Sequence, residues 1–149
     1  MSSSSNVEPL TGGCGCGAVR FEIRAALGPA IYCHCTRCQR RSGTAASASV
    51  RVQPGSVVVT AGAEQLREWA PADGMEKVFC GACGSALLVR DPGSGEIIAV
   101  RLGAIDGDPG VRPIARQFVA YAAPWEPIPD DGLPRFDERI PPDARPQRT

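Results

Sequence analysis

The sequence predicts a small, mostly β domain of antiparallel strands whose connections are drawn together through cysteine. Three observations carry that expectation. Short segments alternate apolar and polar residues with the period of two that a half-buried strand needs. Aromatic residues are 5% of the chain while Gly and Pro number 17 and 14, a mixture that suits short strands and many turns better than long helices. Seven cysteines fall in the spacings C-x-C, C-x-C-x-x-C and C-x-x-C, and they sit in the connections between the predicted strands. A metal-tied set of small sheets therefore fits better than a wide sandwich. The 149 residues amount to one domain.

Along the chain, residues 1–10 read as a disordered lead-in, without the basic and apolar regions of a secretory signal. The domain is expected over 11–136, and 137–149 read as a flexible, proline-rich tail. Val19, Phe21 and Ile23 share one face of a strand, opposite Arg20 and Glu22. A strand from Ala46 to Val52 is followed by the turn Gln53-Pro54-Gly55 and the β-branched run Ser56–Thr60. Further strands are expected at Leu66–Trp69, Glu76–Phe79, Ala86–Arg90, Ile97–Leu102 and Gln117–Tyr121. One helical turn is expected, Thr36–Ser42.

Cys14 and Cys16 lie in one glycine-rich turn, Cys80 and Cys83 in another. The glycines allow the positive φ that such knuckles need and let backbone N–H groups approach sulfur. Each turn offers two ligands and neither completes a tetrahedron, so joining them closes a four-cysteine structural zinc site that clamps residues near 15 to residues near 80. Such a site contributes on the order of 10 kcal/mol to apparent folding stability. Cys33, Cys35 and Cys38 form a second cluster of three thiols within six residues. In an extended C-x-C both cysteines point one way and the intervening His34 the other, so His34 is expected to pack or hydrogen bond nearby. The fourth position is open to water or a substrate thiol, as in catalytic zinc, or is closed by a carboxylate, a partner chain or a buffer thiol into an inert site.

Three thiolates on Zn²⁺ leave a net charge of −1, so the metal is a weak Lewis acid. It suits holding an incoming thiol as thiolate at neutral pH, where a free thiol of pKa about 8.5 is mostly protonated. Arg37, Arg40 and Arg41 stand in or just after the cluster, either offsetting its charge and gripping a substrate carboxylate or simply as solvated charge. Basic and acidic residues balance at 16 each, which gives no sign of nucleic-acid or anionic-membrane partners. Clustered cysteines in odd number favour metal in a reducing compartment over disulfides, and a cytoplasmic location. Oligomeric state is left open.

The segment Gly13–Glu22, the run Cys33-His-Cys-Thr-Arg-Cys-Gln-Arg-Arg-Ser-Gly43 and Phe79–Ser85 resemble the glutathione-dependent formaldehyde-activating enzyme family, which also includes centromere protein V. Gly103–Pro109, Ala123–Trp125 and Asp131–Phe136 resemble its C-terminal pattern. The resemblance implies a tent-like fold of coiled antiparallel sheets related to zinc ribbons. It implies two zinc ions per chain, a structural one on Cys14, Cys16, Cys80 and Cys83 and a catalytic one on Cys33, Cys35 and Cys38. The activity it implies is carbon–sulfur lyase chemistry, the condensation of glutathione with formaldehyde to S-(hydroxymethyl)glutathione. The alternative is a non-catalytic, zinc-stabilised binding module. A thiol redox enzyme of the methionine sulfoxide reductase type is disfavoured, because no cysteine is spare outside the knuckles. The chain departs from the family pattern at Arg116 and Gln117, where a histidine and an apolar residue are usual. Trp125 is expected to anchor the C-terminal segment, and Asp106 and Asp108 to form turns.

Overall fold

The structure, a computed structural model, describes residues 8–141. The lead-in expected over 1–10 and the tail expected over 137–149 therefore lie largely outside the described residues.

Among the described residues, ten strands and one α-helix follow in the order β1 (Leu10–Gly13), β2 (Arg20–Ile23), β3 (Ala30–Cys33), α1 (Thr36–Ser42), β4 (Ser47–Arg51), β5 (Val57–Ala61), β6 (Leu66–Trp69), β7 (Glu76–Cys80), β8 (Ala86–Arg90), β9 (Ile97–Arg101) and β10 (Pro113–Gln117). Two sheets result, a three-stranded one in the order β1-β2-β5 and a seven-stranded one in the order β10-β3-β4-β9-β8-β7-β6. The mostly β expectation holds, yet the larger sheet is wider than the small sheets expected. Strands of four or five residues reach this width because each lies edge to edge with the next. Pairing is antiparallel except between β10 and β3, which run parallel.

The core lies where the alternation placed it. Val19, Phe21 and Ile23 point inward from the small sheet and pack with Val50, Val78, Leu87, Leu88 and Val100 of the large one. Strand β8 is buried through Leu87, Leu88 and Val89, as a strand flanked by β7 and β9 should be. Helix α1 starts at Cys35, whose sulfur accepts the Cys38 N–H at 3.2 Å, and stops at Gly43 with φ 70°. The first cap is thus a member of the second thiol cluster.

The strand expected at Gln117–Tyr121 does not form. Strand β10 ends at Gln117, Phe118 takes φ 58°, and Val119–Tyr121 turns into a 3₁₀ helix. That left-handed residue breaks the extended run. β10 instead covers the earlier residues Pro113–Gln117, with the proline at its first position. Beyond it, residues 134–140 run back along β10: Arg116 donates to the Pro134 carbonyl at 2.9 Å and accepts from the Phe136 N–H at 2.9 Å. Ile140 ends this return, 3% exposed, with its N–H on the Gln117 side-chain oxygen. The outer edge of the large sheet is covered in this way. No helix among the described residues is long and apolar enough to cross a membrane.

Leu87 is fully buried in the core, so its truncation leaves a hole there. Leu87→Ala is expected to lower unfolding free energy by about 2–5 kcal/mol, read from a urea midpoint shift at unchanged slope.

Candidate metal centres

The first cluster sits where the two sheets meet. β1 of the small sheet runs into the Cys14–Gly17 turn, closed by Gly17 N–H on the Cys14 carbonyl at 3.2 Å and by Gly17 at φ 81°. β7 of the large sheet ends on Cys80 and turns through Gly84, also at φ 81°, whose N–H meets the Cys80 carbonyl at 2.7 Å. The Gly15 N–H donates to the Ser85 hydroxyl at 2.9 Å and ties one turn to the other. The sulfurs of Cys14, Cys16, Cys80 and Cys83 consequently all lie within 4.8 Å of one another.

Their separations fit a metal. A zinc–sulfur bond of about 2.3 Å implies tetrahedral sulfur–sulfur edges of about 3.8 Å. Cys14 and Cys16 are 3.6 Å apart, Cys16 and Cys80 4.0 Å. Backbone N–H groups also reach the sulfurs, Val19 to Cys14 at 3.2 Å and Ala82 to Cys80 at 3.4 Å. The Ser85 hydroxyl beside Cys83 pulls that thiol down to about 5. The Ala18 backbone N–H favours the Cys16 thiolate, but neighbouring Cys14 and burial push Cys16 up to about 11 overall. The pattern is that of sulfurs too close to ionise together without a cation among them.

The second cluster lies at the end of β3 and the start of α1. Cys33 and Cys38 are buried and Cys35 is partly exposed, with the three sulfurs again within 4.8 Å. Thiol hydrogen bonds from Cys33 and Cys35, then the Ser47 hydroxyl and the Arg101 charge, hold Cys38 far below an ordinary thiol. Cys33 is driven up, first by its contacts with Cys35 and Cys38 and then by burial. No fourth histidine, cysteine or carboxylate joins this cluster among the described residues.

His34, though between two of these cysteines, faces elsewhere. It is 3% exposed, and its Nε2 is 3.1 Å from Nη1 of Arg116, itself 6% exposed. A guanidinium has only donors, so Nε2 is the acceptor and the ring is neutral with its proton on Nδ1. Burial and then the Arg116 charge hold the His34 pKa below its usual value, in agreement. Arg116 also donates to Asp131 at 2.7 Å and lies 4.2 Å over the Tyr32 ring. Arg116 is therefore the centre of an Asp131–Arg116–His34 chain that runs from the exposed carboxylate into the buried imidazole. It stands on β10, the parallel neighbour of β3, beside the second cluster.

The three arginines singled out by the sequence, Arg37, Arg40 and Arg41, together line a cavity of 390 Å³ with Thr36 and Trp69. Arg37 pairs with Asp73 at 3.0 Å on the surface. Arg40 faces outward between cavities of 270 and 390 Å³, lined by Trp125 and Trp69 respectively. Trp125 does not anchor the C-terminal segment as expected. It is 64% exposed, because the return along β10 is held by backbone bonds and Ile140 instead. Arg41 turns inward, its guanidinium 5.1 Å from the Phe79 ring centre, and lines a cavity of 540 Å³ that also carries Arg101, Ser47, Cys14 and Asp106. Sequence reasoning missed Arg101 and Lys77, which lie on distant strands yet sense the Cys38 charge. Lys77, the single lysine, was the one compositional hint of the second. Asp108 accepts the Gly110 N–H as a turn former does, whereas Asp106 pairs with Thr11 and Arg20 and so ties the segment after β9 to the small sheet instead of closing a turn.

A mostly β protein with two thiol clusters, each able to hold a metal ion, is the class that fold and site define. The profile of the glutathione-dependent formaldehyde-activating enzyme family matches residues 9–121. A Halomonas elongata protein that bears the family's name is 35% identical over 108 residues, 66% of this chain and 67% of that protein. A Rhodobacter sphaeroides protein of known crystal structure superposes with a TM-score of 0.52 at 25% identity, over 85% of this chain and 98% of that one. The chain belongs to the glutathione-dependent formaldehyde-activating enzyme family.

Arg116 beside Asp131 holds that carboxyl below its ordinary value, with the Leu133 N–H adding to the effect. A depressed native pKa contributes stability that is present above the unfolded value of about 3.9 and lost as pH falls through the native one. Asp131→Asn is therefore expected to be less stable than the parent at pH 7 but to lose less on acidification below about pH 4. Thermal midpoints measured from pH 7 to 2.5 check this, and parallel curves would refute it.

Proposed function

We propose that this chain is a zinc-dependent enzyme that condenses glutathione, or a related thiol, with formaldehyde to S-(hydroxymethyl)glutathione, a reaction of carbon–sulfur lyase class. The observation that carries the reading is the asymmetry of the clusters, four sulfurs in one and three in the other, with no fourth protein ligand beside the three. Cys14, Cys16, Cys80 and Cys83 would hold a structural ion, and Cys33, Cys35 and Cys38 a catalytic one. A tent-like arrangement related to zinc ribbons accords with sheets pinned at the four-cysteine site. Seven unpaired cysteines suit a reducing, cytoplasmic setting.

Zinc on three thiolates supplies a fourth position at which a thiol is held ionised at neutral pH. The chain's residues prepare that position. Ser47 and Arg101 stabilise negative charge on Cys38, and the Cys38 N–H steadies the Cys35 sulfur. Arg41 and Lys77 feel the same charge. His34, neutral and bound to Arg116, holds the Cys33–Cys35 segment without adding a ligand. In the condensation a carbon–sulfur bond forms at the formaldehyde carbon, the carbonyl π pair moves to oxygen, and oxygen takes the proton lost by the thiol.

Exchange NMR of glutathione with formaldehyde tests this, using protein assayed at two zinc ions per chain. The adduct should form at a rate that rises with protein and returns to the uncatalysed rate in Cys38→Ser, which keeps one zinc and a folded spectrum. Cys83→Ser should unfold, because the joint between the sheets is lost. An uncatalysed rate in the fully loaded parent would refute the reading and leave a zinc-stabilised binding module.

A further inference from the structure

His34 is gripped from three sides. Its N–H donates to the Gln117 carbonyl of β10 at 3.0 Å, and its carbonyl accepts from the Gln39 side chain of α1 at 2.8 Å. Its ring nitrogen Nε2 accepts from Arg116 at 3.1 Å, across 82 residues of chain. Gln39 makes a second bond, to the Tyr121 carbonyl at 2.9 Å, which ties α1 to the segment after β10.

Arg116 is fixed in its turn. Asp131 takes one of its donors at 2.7 Å, its guanidinium lies 4.2 Å over the Tyr32 ring, and its backbone bonds Pro134 and Phe136 of the C-terminal return. A guanidinium can do this because its donors form a rigid fork, one arm to the carboxylate and another to the imidazole. The gripped residue stands between two of the three sulfur ligands, so holding its backbone and ring holds the directions of Cys33 and Cys35 as well. Ligands ordered beforehand lose less conformational freedom when an ion binds, and groups that orient ligands typically change metal affinity by about 10–100-fold. The four-cysteine cluster is ordered by other means, its own glycine turns and the Gly15–Ser85 bond.

We propose that Arg116 is a positioning residue for the three-cysteine cluster: through the His34 ring it holds the link between Cys33 and Cys35, and so sets the affinity of that cluster, and not of the other, for a divalent ion that prefers sulfur. The inference needs only the metal assignment of the reading above, not the condensation.

His34 is the single histidine of the chain, so ¹⁵N-labelled histidine gives one ring to observe. In zinc-loaded parent its proton should sit on Nδ1 alone, and in Arg116→Met that preference should be lost. Competition with a chromophoric chelator reads the two zinc affinities, and Cys38→Ser identifies which belongs to the three-cysteine cluster. Arg116→Met should weaken that site at least tenfold and leave the four-cysteine site within about twofold. Gln39→Met, which removes a grip on a half-buried helix position, should weaken the same site and spare the other. A proton on Nε2 in the parent would overturn the proposal without any variant having to fold. So would unchanged affinity in folded Arg116→Met or Gln39→Met, or a loss shared by both sites, which is the mark of a merely structural role. A parent that takes up one ion per chain would remove the metal assignment and this inference together. If affinity follows Arg116 while the adduct forms at the uncatalysed rate, the positioning role stands and the condensation reading falls. If condensation is catalysed and affinity ignores Arg116, the reverse holds.

Discussion

Close approach of sulfur to sulfur across the two sheets is the constraint on which the rest of this structure depends. Cys14 and Cys16 follow a strand of the small sheet, and Cys80 and Cys83 end a hairpin of the large one. Their convergence within 4.8 Å is a joint between sheets that otherwise meet through the packing of Phe21, Ile23, Leu87 and their neighbours. Thiolates at such separations repel, and thiols at such separations resist ionising together. A divalent cation removes both difficulties and converts repulsion into cohesion. The glycine turns and the Ser85 bridge hold the sulfurs ready for that exchange.

The second cluster obeys the same electrostatics with a different outcome. It has one sulfur fewer, and the neighbourhood of Cys38 supplies positive charge: Arg101 lowers its pKa, and Arg41 and Lys77 feel it in turn. The first cluster has serine and backbone N–H groups around it instead. The two clusters thus differ in the charge of their surroundings as well as in their number of sulfurs.

The Asp131–Arg116–His34 chain gives the second cluster its support. An arginine here keeps its charge at every accessible pH, where a histidine would not. Asp131 answers that charge, Tyr32 lies beneath it, and the neutral imidazole accepts from it. The C-terminal return along β10 brings these groups together, so residues 131–140 belong to the site's framework as well as to the sheet's edge.

Much of this was legible in the amino-acid order because it depends on neighbours in the chain. The alternation Val19-Arg20-Phe21-Glu22-Ile23 sets its own burial, and Leu66–Trp69 and Ala86–Arg90 appear as strands at the expected bounds. Knuckle spacing brings two sulfurs onto one turn, which is why all seven cysteines were recognisable as two groups. β1 was missed because two of its four residues are glycine, and β3 because Ala30–Cys33 has no alternation. β10 was displaced because nothing local announces that Phe118 will adopt a left-handed conformation. The parallel pairing of β10 with β3, the action of the Arg101 charge on Cys38, and the gathering of Arg37, Arg40 and Arg41 with Trp69 around one cavity were settled by the fold. A guanidinium's partner is whatever strand pairing brings within reach, and strand pairing is a property of the assembled sheet.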